Sequence, residues 1–139
     1  MACGFIWYGY ISVADVDASV ARLTAAGGEP WMPAMDVPGV GRIAMVRDPQ
    51  GTTVYVMTPS GTGPTASFAP GIPGHCGWHE LHARDWSSAL AFYAREFGWH
   101  EVNAMNMGPL GTYQVPGGLW MFHARDPQGA PFALVGPRR

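Results

Sequence analysis

The chain repeats itself. A strand-like run, a helix opened by aspartate and a hairpin built on Asp-Pro-Gln-Gly occur once and then recur in the same order. The first copy reads Phe5-Ile6-Trp7-Tyr8-Gly9-Tyr10-Ile11-Ser12-Val13, then a helix from Asp15, then a hairpin centred on Arg47-Asp48-Pro49-Gln50-Gly51. The second reads Trp78-His79-Glu80-Leu81-His82-Ala83, a helix from Asp85 and a hairpin centred on Arg125-Asp126-Pro127-Gln128-Gly129. Units this short cannot bury a core alone and must pack against one another. Two sheets brought together in that way leave a concavity, which is where a small ligand is held.

Local chemistry supports the same division. Asp15 and Asp85 can each accept hydrogen bonds from the open amides of a first helical turn. Apolar residues then recur at Val16, Val20 and Leu23, and at Trp86, Leu90, Tyr93 and Phe97, which is helical spacing. Gly27-Gly28 and Gly98 supply left-handed terminations. In the strands before the helices, alternation turns Ile11 and Leu81 toward a covering helix. Tyr8, Tyr10 and Ser12 face the other way, as do Trp78, Glu80 and His82. Apolar runs flank each turn, Arg42 to Val46 with Thr52 to Met57 and Trp120 to Ala124 with Pro131 to Val135, so both segments read as hairpins. Gly111-Thr112-Tyr113-Gln114-Val115 adds a further strand or a longer loop. Proline and glycine cluster between the copies, giving modules at residues 1–60 and 77–139 with a linker at 61–76.

Composition narrows the classes. At 47% hydrophobic and 13% charged residues the chain is foldable rather than disordered. A net charge of −2 leaves no electrostatic footprint for nucleic acid. No apolar run is long enough to cross a bilayer, and the N-terminus alternates like a strand instead of reading as a leader. Cys3 and Cys76 stand at corresponding places before each copy's first strand, where a pair of thiols in a cytoplasmic protein is the expectation.

Gly77-Trp78-His79-Glu80-Leu81, Asp85, Ala89, Phe92-Tyr93 and Phe97-Gly98-Trp99 resemble the opening of a module in the glyoxalase/bleomycin-resistance/dioxygenase superfamily (vicinal oxygen chelate fold). So do Asp15-Val16-Asp17-Ala18, Ala26-Gly27-Gly28, Pro38-Gly39-Val40-Gly41-Arg42 and Asp48-Pro49-Gln50-Gly51. The resemblance covers nearly the whole chain outside the linker. It implies an α+β fold: two βαβββ modules forming a curved, partly closed mixed sheet with helices outside. The first copy is similar to a closing module and the second begins like an opening one. That implies a homodimer, with module exchange as one form of it.

Metal-dependent members draw one ligand from the first strand and one from the last strand of each module. Those places hold Tyr8, Trp78, Tyr55 and Ala133 here, so no metal and no other cofactor is expected. Tyr8, Tyr10, Tyr55 and Trp78 then read as an apolar, stacking floor for a small, partly aromatic molecule. Glu80 and His82, two apart on one strand, are the candidate acid–base pair of a lyase or isomerase acting on a small carbonyl compound. The structural alternative pairs Glu80 with Arg42 or Arg84. His75, His79 and His82 share no recognised zinc spacing. Met105 and Met107 read as an adaptable wall or as an edge loop.

Overall fold

A computed structural model describes residues 7–63, 67–69, 71–77, 79–81, 83–100 and 112–137. Its elements run β1 (Tyr10–Ser12), α1 (Val16–Ala25), β2 (Glu29–Val37), β3 (Gly41–Arg47), β4 (Thr53–Pro59), α2 (Trp86–Phe97), β5 (Thr112–Gln114), β6 (Trp120–Arg125) and β7 (Pro131–Gly136). The fold is α+β, with a four-stranded sheet ordered β1-β4-β3-β2 and a three-stranded sheet ordered β5-β6-β7. Neither closes into a barrel among the described residues.

Both aspartates cap their helices. Asp15 Oδ1 accepts from the Ala18 amide at 2.9 Å, and Asp85 Oδ1 accepts from Ser87 and Ser88 at 3.1 and 3.3 Å. Gly98 ends α2 in the left-handed region with φ 70°. The two hairpins are built alike. Asp48 Oδ1 accepts from the Gln50 and Thr52 amides at 2.9 and 2.8 Å, and Asp126 Oδ1 accepts from Gln128 and Ala130 at 2.9 Å each. The β2–β3 connection depends on Gly41, whose φ is 141° and whose missing side chain leaves room for the Thr58 carbonyl.

The chain folds into two compact units, one from Tyr8–Pro64 with Leu81–Glu101, the other from Thr65–Glu80 with Val102–Arg139 and the N-terminal residues through Trp7. In the first unit, Val16, Leu23, Ala44, Val46, Val56, Phe92 and Tyr93 form one buried cluster. Helix α2 therefore packs with the sheet of the first repeat, in the same unit as α1. Its attachment is polar as well as apolar. The Gln50 side chain donates to the Asp85 carbonyl at 2.6 Å and to Ser88 Oγ at 3.1 Å, and it accepts from the Asp85 amide at 3.0 Å. Arg84 donates to the Gln50 carbonyl at 2.9 Å, and the Tyr93 hydroxyl donates to Asp48 Oδ2 at 3.1 Å. Burial, the Asp48 charge and that hydrogen bond together push the Tyr93 hydroxyl well above the ordinary tyrosine value.

Three expectations change. The run from Trp78 to Ala83 forms no strand at its described residues 79–81 and 83, and Leu81 is exposed instead of turned to a helix. On α2 the buried residues are Ala89, Phe92 and Tyr93, while Trp86 is 58% exposed. The stripe is thus rotated from the one drawn through Trp86 and Leu90, because the face is set by where Gln50 and Asp48 hold the helix. Spacing alone does not fix it.

In the second unit, Tyr113 pairs with Met121 and His123 with Ala133 across the β5-β6-β7 ladder. Met121, Val115 and Ala130 are buried there.

Candidate functional site

In the first sheet, Ala44, Val46 and Val56 point into the core beneath the helices, and Ile11 packs against it. Alternation then sends their strand neighbours to the other side. Tyr10 lies beside Tyr55 in the parallel β1–β4 ladder, and Met45 lies opposite Tyr55 in the β3–β4 ladder. Ile43 and Met57 face each other one pair further along. Met32 pairs with Met45, and Met35 pairs with Ile43. The face of this sheet opposite its core is therefore carpeted with tyrosine, methionine and isoleucine.

Three of the residues singled out in the sequence meet on it. The Tyr10 and Tyr55 rings stack with centroids 4.7 Å apart and planes at 28°. Tyr8 meets Tyr55 edge-on at 5.5 Å and 72°. Tyr8 and Tyr10 are exposed and Tyr55 is partly covered by them. Burial, then the neighbouring Tyr10 and Tyr8, push the Tyr55 hydroxyl above its ordinary value, so the phenol holds its proton. Trp78 and His82 lie outside the described residues, as do Cys3, Met105 and Met107.

Glu80 has a partner that sequence reasoning missed. His123 Nε2 on β6 lies 3.4 Å from Glu80 Oε2, with both side chains mostly covered. Tyr113 meets the His123 ring edge-on at 5.8 Å. The arginines proposed for Glu80 are engaged elsewhere. Arg42 holds Asp17 with two hydrogen bonds of 2.7 and 2.9 Å and Asp36 with one of 3.0 Å, which keeps the Asp17 carboxyl below its usual range. Arg84 serves Gln50. The hairpin register contained the missing signal, since pairing outward from the Asp126 turn places His123 opposite Ala133.

The remaining histidines are dispersed in role. His79 stacks on Phe68 at 5.0 Å with its Nε2 3.6 Å from the exposed Cys76 Sγ, and the His75 ring lies 3.3 Å from the Pro73 carbonyl. Among the described residues, no group of three or more His, Cys, Asp or Glu side chains is arranged to hold a metal ion. A shallow depression of about 350 Å³ lies on the helix side, lined by Arg22, Ala25, Ala26, Arg95 and Glu96. Ion pairs among those residues account for its polar atoms.

Comparison with known proteins agrees with this architecture. Residues 4–56 match the profile of the Glyoxalase/Bleomycin resistance protein/Dioxygenase superfamily. Over 93 residues, 67% of the chain, the sequence is 39% identical to the anthracycline biosynthesis protein DauV of Streptomyces sp. strain C5 and to DnrV of Streptomyces peucetius. A 54-residue stretch is 43% identical to CFP32 of Mycobacterium bovis, whose name assigns it provisionally to the glyoxylases. The matches cover 33% of the two Streptomyces proteins and 21% of CFP32, so the chain spans about a third or less of the length of these relatives. The chain belongs to the glyoxalase/bleomycin-resistance/dioxygenase superfamily. No described helix is long and apolar enough to cross a membrane.

Proposed function

We propose that the protein binds a small, partly apolar molecule against the tyrosine-lined face of its first sheet, without the cation that many members of the superfamily use. The observation that carries this reading is the Tyr8–Tyr10–Tyr55 cluster, three rings gathered on the sheet face opposite the core that its own unit's helices cover. A contiguous aromatic surface of this kind, left open to solvent, marks a binding site more often than a packing defect. Trp78 belongs to the same reading through the repeat.

The donor set at the superfamily's ligand positions does not fit a divalent cation. Ala133 offers a methyl group, and Tyr55 is a phenol kept neutral by burial and by its ring neighbours. A tyrosine binds a cation well only after losing the proton that this environment retains. No step of the reading passes through a metal.

The names of the two Streptomyces relatives make a planar, fused-ring aromatic the first ligand to test. Such a molecule loses about 150 Å² of apolar surface on a flat seat, worth roughly 4 kcal/mol before association costs. Stacking on a tyrosine adds about 1 kcal/mol. In a thermal-shift titration with an anthraquinone, the midpoint should rise with ligand concentration, since only the native state offers the surface. Tyr55→Ala should weaken binding roughly tenfold, about 1.4 kcal/mol, by removing the ring that both neighbours contact. An unchanged affinity in that variant overturns the assignment.

A second reading rests on Glu80 and His123. A mostly covered carboxylate against an imidazole can pass a proton to and from a small carbonyl substrate, as a lyase or isomerase requires, with His82 as the other candidate partner. Glu80→Gln should abolish turnover while leaving the unfolding midpoint within a degree or so.

A further inference from the structure

The face that carries Tyr55 also carries a cation. On β3, Arg42 reaches Asp17 of α1, and Ala44 and Val46 enter the core beneath the helices. Alternation turns Met45 and Arg47 the other way, to the tyrosine side. In the β3–β4 ladder Met45 stands opposite Tyr55, and Arg47 stands opposite Thr53 one step further along that side. Arg47 is therefore a diagonal neighbour of Tyr55, roughly 7–8 Å away, a span that long side chains cover. Its guanidinium carbon sits 3.3 Å from the centre of the Trp31 ring on β2. At that separation the ring holds the flat face of the guanidinium and leaves the N–H groups along its rim to another partner. Glu29 stands opposite Arg47 in the β2–β3 ladder, yet among the described residues no carboxylate lies within ion-pair distance of it. Trp31 itself is half-exposed.

We propose that Arg47 and Trp31 form the anion-recognising end of the tyrosine face, and that the ligand is a planar aromatic acid. Its rings lie on Tyr55 and its carboxylate meets the Arg47 fork. The proposal rests on the tyrosine-face reading and adds to it the charge of the ligand and the direction in which it lies. A carboxylate fits because its two coplanar oxygens match two parallel N–H bonds of a guanidinium. The diagonal offset places the acid on a terminal ring, beyond the ring that stacks on Tyr55. Met45, Ile43 and Met57 bring no charge to this face, and Ser12 and Thr53 bring only hydroxyls. Among the described residues Arg47 is thus the cation that orients a ligand otherwise free to turn in a flat apolar seat. Trp31 is a positioning residue, acting through Arg47. A lysine at 47 would keep a positive charge but neither stack nor fork.

The test titrates anthraquinone-2-carboxylate and its neutral carboxamide separately into the intact chain by calorimetry. A net charge of −2 works against anions in general, so a preference for the carboxylate reports a local cation. The carboxylate should bind about tenfold more tightly at low salt, and the gap should narrow below about threefold in ~1 M salt. Arg47→Met should erase the preference while changing carboxamide affinity less than about twofold. Arg47→Lys should keep a preference of roughly threefold. Trp31→Leu should also cut it to roughly threefold, and Trp31→Phe, which restores a ring, should recover most of it. Circular dichroism on each variant confirms the fold, and the comparison of two ligands on the unaltered chain keeps the test open if Arg47→Met disturbs the hairpin. Equal affinities on the unaltered chain, or a preference that survives Arg47→Met, overturn the proposal and leave the tyrosine-face reading standing. An unchanged preference in Trp31→Leu overturns the role given to Trp31. Binding of neither ligand overturns the proposal together with the reading beneath it.

Discussion

The two hairpins share a turn sequence and a hydrogen-bond pattern, yet their sheets live in different surroundings. The first has its core face sealed by two helices, down to 0% exposure at Ala44 and Val56. The second presents Phe122 and Leu134 to solvent at the same places. Turn geometry is decided within five residues by an aspartate and its neighbouring amides. Burial is decided by which helix arrives, and α2 arrives at the first sheet because Gln50 and Asp48 hold it there. Duplicated sequence therefore gives duplicated local structure without duplicated packing.

The largest expected contrast is between leucines. Leu23→Ala empties a site at 1% exposure and should lower unfolding free energy by about 2–5 kcal/mol. Leu134→Ala should change it by less than about 0.5 kcal/mol. Equal losses in urea titrations would mean that the second sheet is as sealed as the first.

Next in size is the link from Tyr93 to Asp48. Tyr93→Phe leaves a buried carboxylate short of a partner and should cost about 2 kcal/mol. It should also alter the alkaline limb of the stability profile. The folded value of Tyr93 is raised above the unfolded value of about 10, so the native state holds this proton more tightly. Its contribution is complete below pH ~10 and is lost as pH rises from there through the raised value. The variant should decline less steeply above pH ~10, with the smaller effect of Tyr55 remaining.

The smallest contrast compares the glutamines. Gln50→Ala removes three hydrogen bonds at the start of α2 and should cost about 1 kcal/mol. Gln128→Ala should be neutral in the isolated chain. A cost at Gln128 would show that its amide is already engaged.

Much of this was legible from residues alone, for a physical reason. Asp15, Asp85, Asp48 and Asp126 act on amides two to four positions away, so their roles are written locally. Strand alternation put Tyr8 and Tyr10 on one face, and Tyr55 was added through the superfamily's ligand positions. The face of α2 did not follow from spacing, because Trp86 and Phe92 both suit a helical stripe and only the long-range grip of Gln50 selects between them. Glu80 was recognised without its partner, because His123 arrives from a strand 43 residues later. Met45 and Met57 could have been placed beside the tyrosines by extending the same alternation across the hairpin, whereas Met32 and Met35, three apart, reach one face only through register shifts in β2.

The reading of the tyrosine face is tested most directly by NMR on protein with labelled tyrosine rings, titrated with an anthraquinone in the presence of a chelator. Ring resonances of Tyr8, Tyr10 and Tyr55 should move together along one saturable curve, while those of the buried Tyr93 stay in place. Shifts that appear only after a divalent ion is restored, or that spare these three rings, would contradict it.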